Sequence, residues 1–441
     1  MRTDLRRALL LPALAFALVV VADGCGGGAQ PIRIGVISDC EGPFASRSEG
    51  LVGAAELPLI ERGATLRGGN PSDGVESASI AGRPVELLFG CERWGDRWTL
   101  LAELRRLVER EGANVVIGPP FPGDGIAVRE YAKHEPGVTF LVTSPEQSAT
   151  LKRTAPNVFR FSVDEAQAAA GLGSYAYRTL RWRRVITVGE DDPSGWPIVA
   201  GFVAEFCSLG GRVVQRIWAG ADPAALSWIG RKIAPRRTDG VYFAGNDVQP
   251  SRPFVTALAR DRPDLAHSLL GGASMLFENL EPQMLGVVAV TPTPLAPTRT
   301  WTRFTGELAA RFPHADAQSF LVFEEYDAMK AALTALDSVG GDVSHGERRL
   351  MTKLARLQIN GSVGPIRLDA RHQAVAPVFL GTVARDAGGG LVVRQLRVVR
   401  GVEQSFGGYF SPTTPAPSRT QPVCKRGRGP AWARDRASAT R

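Results

Sequence analysis

The chain has 441 residues, of which 44% are hydrophobic and 22% charged, so its composition is that of a globular protein with a substantial core. Its net charge of +8 is concentrated in basic residues near the two ends, and the stretch between them is close to neutral. Binding of nucleic acid needs a basic face with interleaved aromatic residues. The sequence has no such face, and we expect no nucleic-acid partner.

The first 25 residues have the form of an export signal. Three arginines within the first seven residues precede an unbroken apolar run at 8–21, which is shorter than the about 20 residues that span a bilayer. Cys25, followed by three glycines, resembles a bacterial lipoprotein cleavage site. We therefore expect a signal peptide at 1–24, a lipid anchor and tether at 25–30, and attachment to the outer face of the cell membrane. The alternative is an ordinary secretory signal, because Ala22 stands where the lipoprotein site prefers leucine.

The cysteine count agrees with export. The five cysteines are Cys25, Cys40, Cys91, Cys207 and Cys424, so lipidation of Cys25 would leave an even number in an oxidising compartment. Cys40 and Cys91 each follow an expected strand, and adjacent parallel strands would bring them within bridging distance. Cys207 and Cys424 remain, either as a second disulfide or as two free thiols. No Cys or His spacing is typical of a metal site, and we expect neither a metal nor another cofactor.

Short apolar strands alternate with amphipathic helices from residue 32 to residue 244. The expected strands are 32–38, 85–89, 115–117, 139–143, 158–163, 185–188, 213–218 and 240–244. The expected helices are 49–62, 95–111, 125–134, 165–180, 196–209 and 224–233, with a loop at 67–78. The βαβαβ pattern thus occurs twice. This predicts an α/β protein of two doubly wound lobes, each a parallel sheet covered on both faces.

The last third of the chain is mixed. A strand, two helices and three further strands are expected at 286–290, 301–312, 320–336, 366–369, 378–383 and 392–399. The last three strands have no helices between them and cannot form a third doubly wound unit, so we expect them to complete the earlier lobes. Residues 411–421 are rich in Pro, Ser and Thr, which predicts a disordered or loosely attached part of a Pro-rich basic tail at 406–441.

Several short motifs occur in an informative order along the chain. They are Ile32-Arg33-Ile34-Gly35-Val36-Ile37 with Glu41-Gly42-Pro43-Phe44, Val115-Val116-Ile117-Gly118-Pro119, Val142-Thr143-Ser144-Pro145 with Asn157-Val158-Phe159-Arg160, Glu325-Tyr326-Asp327-Ala328, and Gly364-Pro365-Ile366-Arg367-Leu368-Asp369. On these motifs the stretch 31–399 resembles the type I periplasmic binding proteins. The resemblance is to their leucine/isoleucine/valine-binding branch, in an actinobacterial-like form.

The resemblance implies two lobes joined by three crossing segments, with a ligand cleft between them. The first lobe would comprise 31–160 with 275–360, and the second 161–274 with 361–405. Hinge closure would trap a small solute, and the closed form would dock on an ABC permease and its ATPase. Apart from these partners and the membrane lipid anchor, we expect a monomer.

Carried over position by position, the resemblance assigns several first-lobe residues to the ligand site. Ser144 and Ser148 fall where the family binds the ligand's carboxylate, with Gln147 between them; helix capping is the competing interpretation. Phe121 either packs on an apolar part of the ligand or anchors its loop. Arg47 either recognises an anionic group or lies on the surface.

The second lobe departs from the family pattern. Its candidate positions are Asp191, Asp192, Ser194, Asn246, Asp247 and Ser274. Ser194 stands where the family has tyrosine, and Ser274 stands where it has the acid that pairs with the ligand's ammonium group. Loss of that acid would leave a buried ammonium unpaired, so an α-amino acid ligand requires one of the aspartates as a replacement. Each aspartate has a competing interpretation as a loop carboxylate or a helix cap.

These observations predict a solute-binding protein and not an enzyme. The sequence has no Gly-x-Ser-x-Gly elbow, no phosphate-binding loop and no His-Glu-x-x-His motif, and none of its five histidines lies beside an obvious nucleophile. The expected ligand of the ABC importer component is a branched-chain or other amino acid, an amide or a related carboxylate. One alternative is a ligand-sensing lipoprotein of the same fold that acts on a receptor or regulator. Another is a degenerate lipoprotein that binds no solute.

Overall fold

The computed structural model describes most of the chain. It covers residues 30–42, 44–152, 155–220, 222–234, 237–245, 251–277, 279–319 and 321–434. The expected signal peptide, the lipidation site Cys25 and the cleft candidates Asn246 and Asp247 lie outside these residues. None of the helices in the described ranges has both the length and the apolar character needed to cross a bilayer.

The strands form two large sheets and one small hairpin. In chain order they are β1 (Ile32–Glu41), β2 (Thr65–Leu66), β3 (Val75–Glu76), β4 (Ser79–Ile80), β5 (Arg83–Arg93), β6 (Val115–Ile117), β7 (Thr139–Leu141), β8 (Val158–Phe159), β9 (Arg184–Glu190), β10 (Arg212–Ala219), β11 (Gly240–Ala244), β12 (Leu269–Gly271), β13 (Val288–Thr291), β14 (Gln358–Gly361), β15 (Gly364–Leu368), β16 (Ala374–Arg385) and β17 (Leu391–Val402).

The helices cover the faces of the sheets. In chain order they are α1 (Ser48–Ile60), α2 (Arg97–Arg105), α3 (Asp124–Ala132), α4 (Ser148–Leu151), α5 (Glu165–Ala168), α6 (Leu172–Ser174), α7 (Gly195–Ser208), α8 (Pro223–Leu226), α9 (Ile229–Lys232), α10 (Arg252–Asp261), α11 (Ser274–Phe277), α12 (Arg299–Arg311), α13 (Val322–Ser338), α14 (Arg348–Leu354) and α15 (Ala431–Arg434). Single 3-10 turns occur at Ala45–Arg47, Pro71–Asp73, Pro282–Met284 and His345–Glu347, and π turns at Arg106–Arg110 and Tyr175–Thr179.

The first sheet has the strand order β4-β5-β1-β6-β7-β8 and is parallel except for β4. Alternate residues of its central strand face opposite layers, as the period of a strand requires. Ile34 and Val36 pack into the core that contains α1, whereas Ile37 packs with Leu100 and Leu104 of α2. Burial on both sides explains why β1 is a nearly continuous apolar run.

The second sheet has the order β10-β9-β11-β12-β13-β16-β15-β14, and β17 pairs with β16. Its first five strands are parallel, and the late strands add to it in antiparallel pairs. The three late strands predicted from the sequence therefore extend an earlier lobe and do not form a third one. The expected fold class, an α/β protein with two doubly wound, parallel-rich sheets, is confirmed.

The chain passes between the two sheets three times. The first passage follows β8, where Arg160 forms an isolated parallel bridge with Gln373. The second follows β13, after which α12 and α13 pack against α1, and the third precedes β14. The range 275–360 that we assigned to the first lobe thus contains α12 and α13, but also β13, which pairs within the second sheet.

Two of the expected helices are interrupted. The helix expected at 165–180 is divided into α5, α6 and a π turn, with Gly171 in a positive-φ conformation between the first two. A Cβ atom at this glycine would lie 2.6 Å from Val399 and 2.9 Å from Leu380, so the close approach of β16 and β17 requires glycine. The helix expected at 224–233 is likewise divided into α8 and α9. Helix α10, which buries Phe254 and Leu258, was not predicted.

The C-terminal segment packs on the second lobe on both sides of residues 411–421, the stretch that we expected to be disordered or loosely attached. Phe406 packs edge-to-face on Phe410 and Trp432, with ring centroids 5.4 and 5.2 Å away. These three aromatic side chains are buried, so the segment adds to the core of the second lobe. Composition suggested disorder because Pro, Ser and Thr outnumber the few aromatic residues that anchor the segment.

Both cysteine pairs considered from the sequence are disulfide-bonded in the structure. Cys40 and Cys91 have Cα atoms 5.3 Å apart, and they join the carboxyl ends of the neighbouring strands β1 and β5. Cys207 of α7 and Cys424 of the C-terminal segment also have Cα atoms 5.3 Å apart. The second bridge attaches the tail covalently to the helical layer of the second lobe.

Candidate ligand site between the two sheets

A cavity of about 110 Å³ lies between the carboxyl ends of the two sets of parallel strands. The first lobe contributes Phe121 and Pro145, which follow β6 and β7, and Leu321 before α13. The second lobe contributes Ile198 and Val290 among other small or apolar side chains. Open α/β sheets bind ligands at this edge, and an apolar wall with few polar groups is typical of a small-molecule site.

Two of the side chains predicted for the site, Phe121 and Ser194, line this cavity. The other described candidates, Ser144, Gln147, Ser148, Asp191, Asp192 and Ser274, are not part of its wall. Asp192 accepts hydrogen bonds from the backbone N–H groups of Ser194 (2.9 Å) and Gly195 (2.6 Å). These contacts agree with the competing interpretation of this aspartate as a loop carboxylate or helix cap.

The remaining aspartate of that loop also has a local partner. Asp191 accepts a hydrogen bond at 2.7 Å from Nε of Arg419 in the C-terminal segment and another at 3.2 Å from Nε1 of Trp196. The arginine lowers the pKa of this carboxyl group. Asp191 therefore links the tail to the second lobe at the start of α7.

Sequence analysis did not identify four polar residues that line the cavity, Asp164, Glu165, Tyr242 and Glu324. Glu165, at the start of α5, is 4% exposed; its Oε1 accepts a hydrogen bond at 2.6 Å from Oγ of Ser194, and its Oε2 has no hydrogen-bond partner. Burial raises the pKa of this carboxyl group well above its ordinary value. The only sequence signal was its position beside Asp164 at the first crossing, where an acid is easily taken for a helix cap.

Tyr242 lies in the middle of β11, within a run that predicts a buried strand. Its ring stacks on Phe202 of α7 with centroids 4.2 Å apart, and its hydroxyl is fully buried without a hydrogen-bond partner. Burial raises its pKa, so the hydroxyl is neutral at physiological pH. A buried tyrosine hydroxyl usually has a partner, and Tyr242 is one of the residues that line the cavity.

A buried arginine organises the first crossing beside the cavity. Arg160 is fully buried and donates to Oε1 of Gln373 at 2.7 Å and to the carbonyl oxygens of Ser144 (2.7 Å) and Glu146 (2.9 Å). It also forms an ion pair at 3.8 Å with Asp164. The guanidinium group of Arg160 is therefore hydrogen-bonded within the first crossing, and the carboxylate of Asp164 balances its charge.

The amino terminus of α3 is occupied by a side chain of the protein. Oε2 of Glu146 accepts a hydrogen bond at 3.2 Å from the backbone N–H of Gly123, and Oε1 accepts one at 3.3 Å from Oγ of Ser144. Burial raises the pKa of this carboxyl group, whereas Arg160 and the N–H groups of Gly123 and Ile126 lower it. Helix N-termini attract anions. Here the carboxylate of Glu146 itself fills that position.

Three more carboxyl groups are buried behind this loop. Burial raises the pKa of Asp39 to about 7, of Glu92 to about 9 and of Asp124 to about 8. Repulsion from Asp124 and Asp39 adds to the shift of Glu92, and repulsion from Glu146 and Asp39 adds to that of Asp124. At neutral pH Glu92 and Asp124 are therefore largely protonated and Asp39 is about half protonated. Within the described ranges, no group of three or more His, Cys, Asp or Glu side chains is arranged to hold a metal ion.

An aromatic cluster packs around the cavity residue Phe121. The ring of Phe44 stacks on the cavity residue Phe121 at 4.4 Å and meets Trp94 edge-on at 5.2 Å. Nε1 of Trp94 donates to the carbonyl oxygen of Pro122 at 3.3 Å, and the guanidinium of Arg47 lies 5.5 Å from the Phe44 centroid. These contacts fix Phe121 in the cavity wall.

The sequence and the fold both match known proteins. Residues 31–389 match the family model described as periplasmic binding protein. No curated protein matches the chain. Among solved structures, an ABC transporter substrate-binding protein from Sphaerobacter thermophilus is 22% identical with a TM-score of 0.71, over 85% of this chain and 99% of that one.

Two further structures of the same fold contain or are named for a solute. A solute-binding protein of an ABC transporter from Rhodopseudomonas palustris, in complex with 3,4-dihydroxybenzoic acid, is 19% identical with a TM-score of 0.68, over 85% of this chain and 98% of that one. A leucine-binding protein from Thermotoga maritima is 18% identical with a TM-score of 0.61, over 84% and 99% of the two chains.

Proposed function

The chain belongs to the periplasmic binding protein family, a family of solute-binding proteins and not of enzymes, and from this premise we propose that it is the extracytoplasmic solute-binding component of an ABC importer. Its fold is that of the type I members. The small-molecule solute would be captured between the two lobes and delivered to a permease and its ATPase. Attachment to the membrane through a lipid on Cys25 and a monomeric state belong to the same proposal.

The observation that carries this proposal is the cavity between the two sheets. It lies where each parallel strand ends, and side chains from both lobes line it. Its wall includes Phe121 and Leu321 on one side and Ile198 on the other, which favours a solute with an apolar body. A leucine-binding protein and a protein bound to an aromatic acid share this fold, so small solutes of this size range are reasonable candidates.

Capture by hinge closure is supported by the crossing segments. The first passage is tied to the second sheet by Arg160 and Gln373, through an isolated parallel bridge and a buried hydrogen bond. Rotation of one lobe about these segments would open the cavity without disturbing either core. Closure would then depend on contacts that the solute makes to both lobes at once.

Thermal unfolding of the purified protein against amino acids, amides, amines and aromatic acids tests the proposal. A ligand that binds only the folded state, present at about a hundredfold excess over its dissociation constant, stabilises that state by about 2.7 kcal/mol. We expect at least one class to raise the melting temperature. Ala168→Phe, which fills the cavity, should abolish this shift, and Ala102→Phe on the exposed face of α2 should not.

A panel that leaves the melting temperature unchanged in both the parent protein and the Ala102→Phe control would contradict solute binding.

Delivery of the solute to the permease is tested by a separate measurement. Membranes that contain the cognate permease should retain the liganded protein more strongly than the unliganded one, and equal retention would contradict the importer role.

A further inference from the structure

The charge of the cavity wall is unusual for a site expected to hold a carboxylate. Among the described lining residues there is no lysine, arginine or histidine, whereas three acids, Asp164, Glu165 and Glu324, are present. Asp164 is already used: it accepts hydrogen bonds from the backbone of Gln167 at 2.8 Å and from Nε2 of Gln404 at 2.7 Å, and Arg160 lies 3.8 Å away. Glu165 has no such set of partners.

Glu165 and Tyr242 leave two polar atoms in the cavity wall without a partner. Oε2 of Glu165 and the hydroxyl oxygen of Tyr242 are both buried and accept no hydrogen bond from the described chain. Buried polar groups are nearly always hydrogen-bonded, so such atoms in a ligand site indicate what the ligand must supply. Once a cation ionises it, the carboxylate of Glu165 can only accept hydrogen bonds, so a cationic donor would both ionise this buried acid and satisfy Oε2.

The position at which a ligand's carboxylate would bind is meanwhile filled. Glu146 already receives the N–H of Gly123 at the start of α3 and the hydroxyl of Ser144. A second carboxylate brought to this loop would find these donors already bound to Glu146, and its own burial without donors would be costly.

We propose that the cavity binds a small amine with an apolar body and no carboxylate, whose ammonium group donates to Oε2 of Glu165 beside the hydroxyl of Tyr242. This inference rests on the proposed function and specifies its substrate class. The apolar wall formed by Phe121, Ile198 and Leu321 would hold the hydrocarbon part. The ion pair would form inside the cavity, where Ser194 already orients the carboxylate by donating to Oε1.

Calorimetric titration of the purified protein with two matched pairs of probes tests the inference. Phenethylamine is compared with hydrocinnamate, and isopentylamine with isocaproate; within each pair only the charged group differs. We expect at least one amine to bind more tightly than its matched carboxylate by about tenfold or more. Equal or tighter binding of the carboxylates, or binding of neither amine, overturns the inference.

The same titrations separate this inference from the proposed function. If hydrocinnamate, leucine or another carboxylate binds and the amines do not, solute capture stands and the amine assignment is wrong. If the amines and the whole thermal panel give no signal, both are wrong.

Substitution of Glu165 gives a second and independent test. Glu165→Gln keeps the shape of the side chain and an oxygen for the Ser194 hydroxyl but removes the negative charge, so amine affinity should fall by about tenfold or more. Tyr242→Phe should lower it by a smaller factor. Glu307→Gln, on the surface of α12, is the matched control and should change nothing. Unchanged amine affinity in a folded Glu165→Gln protein overturns the inference, and the probe pairs remain decisive if that variant does not fold.

Discussion

Two buried glutamates, Glu146 and Glu165, approach the cleft from opposite lobes, and their surroundings differ. Both are 4% exposed, and burial raises the pKa of both carboxyl groups. Glu146 receives hydrogen bonds at both oxygens and lies near the guanidinium of Arg160, whereas Glu165 receives only the hydroxyl of Ser194. Although the two side chains are equally buried, both oxygens of Glu146 are bound within the protein, whereas one oxygen of Glu165 accepts no hydrogen bond from the described chain.

The difference arises from the backbone around each residue. Glu146 faces the free N–H groups at the start of α3, which a carboxylate satisfies well. Glu165 is itself the first residue of the short helix α5, and the N–H group that needs a cap there is satisfied by Asp164 instead. A buried carboxylate therefore indicates a ligand site only when the protein donates too few hydrogen bonds to satisfy it.

The largest expected effect comes from removing the cation between the two glutamates. Arg160→Met would leave Asp164 without its counter-charge and would remove a donor from four acceptor groups, on Ser144, Glu146, Thr150 and Gln373. We expect a loss of about 3–5 kcal/mol in the free energy of unfolding, because a buried charge is left uncompensated. Urea denaturation measures it. A loss below about 1 kcal/mol would show that the hinge network does not hold the lobes together.

A matched pair of isosteric substitutions tests the comparison of the glutamates directly. Both oxygens of Glu146 accept hydrogen bonds, and in Glu146→Gln one of them becomes an NH₂ group that must face a donor. We therefore expect the free energy of unfolding to fall by about 2 kcal/mol. Glu165→Gln retains the acceptor for Ser194, and its stability should stay within about 1 kcal/mol of the parent. Both values come from urea denaturation. Equal losses would contradict the assignment of a structural role to one residue only.

The pH dependence of stability tests the acids behind Glu146. The folded-state pKa values of Asp39, Glu92 and Asp124 are about 7, 9 and 8, above the unfolded values of about 4. A raised pKa means that the stabilisation is complete below about pH 4 and is lost as the pH rises through 7 to 9. We expect the free energy of unfolding to fall by about 2 kcal/mol or more between pH 5 and pH 9.

Two substitutions sharpen that measurement. Asp39→Asn should reduce the dependence of stability on pH, because one of the three protons no longer has to be released. Asp342→Asn changes an exposed carboxyl group whose pKa is lowered to about 2 by its hydrogen bonds to Ser344, and it should leave the profile above pH 5 unchanged. A flat profile in the parent protein would contradict protonation of the buried acids.

The smallest effect is expected at the hydroxyl that orients Glu165. Ser194→Ala removes the 2.6 Å hydrogen bond to Oε1 and should lower stability by about 1 kcal/mol or less. Because the carboxylate would be less well oriented, affinity for the bound solute should fall more than stability does. Titration of the solute identified by the thermal panel, alongside urea denaturation, compares the two losses.

Much of the fold was predictable because its signals are local. The apolar run of β1 and the amphipathic stripe of α2 appear in short stretches of sequence, and the order of the motifs from Ile32 to Asp369 indicated the family correctly. The prediction failed where a distant contact decides the local structure. Gly171 interrupts a helix because β16 and β17 pack against it. Three aromatic residues that flank the stretch 411–421 pack together, which its composition did not indicate.

The candidate site was less predictable than the fold. Phe121 and Ser194 were identified by position, but Glu165 and Tyr242 lie in stretches typical of a helix start and a buried strand. Ser144 donates to Glu146, and Asp192 accepts from the start of α7, so both have protein partners. The sequence shows which residues are polar but not which of them lack a partner.

The sequence by itself determined two doubly wound lobes, membership of a solute-binding family and the absence of enzymatic motifs, since residue periodicity and motif order require no knowledge of distant contacts. Only the tertiary structure decided which carboxylate is satisfied and which faces the cavity. Hydrogen bonds form between residues far apart in the chain, such as Glu165 with Ser194 and Asp164 with Gln404. The chemistry of the cleft therefore depends on contacts between distant segments of the second lobe, which no single stretch of sequence specifies.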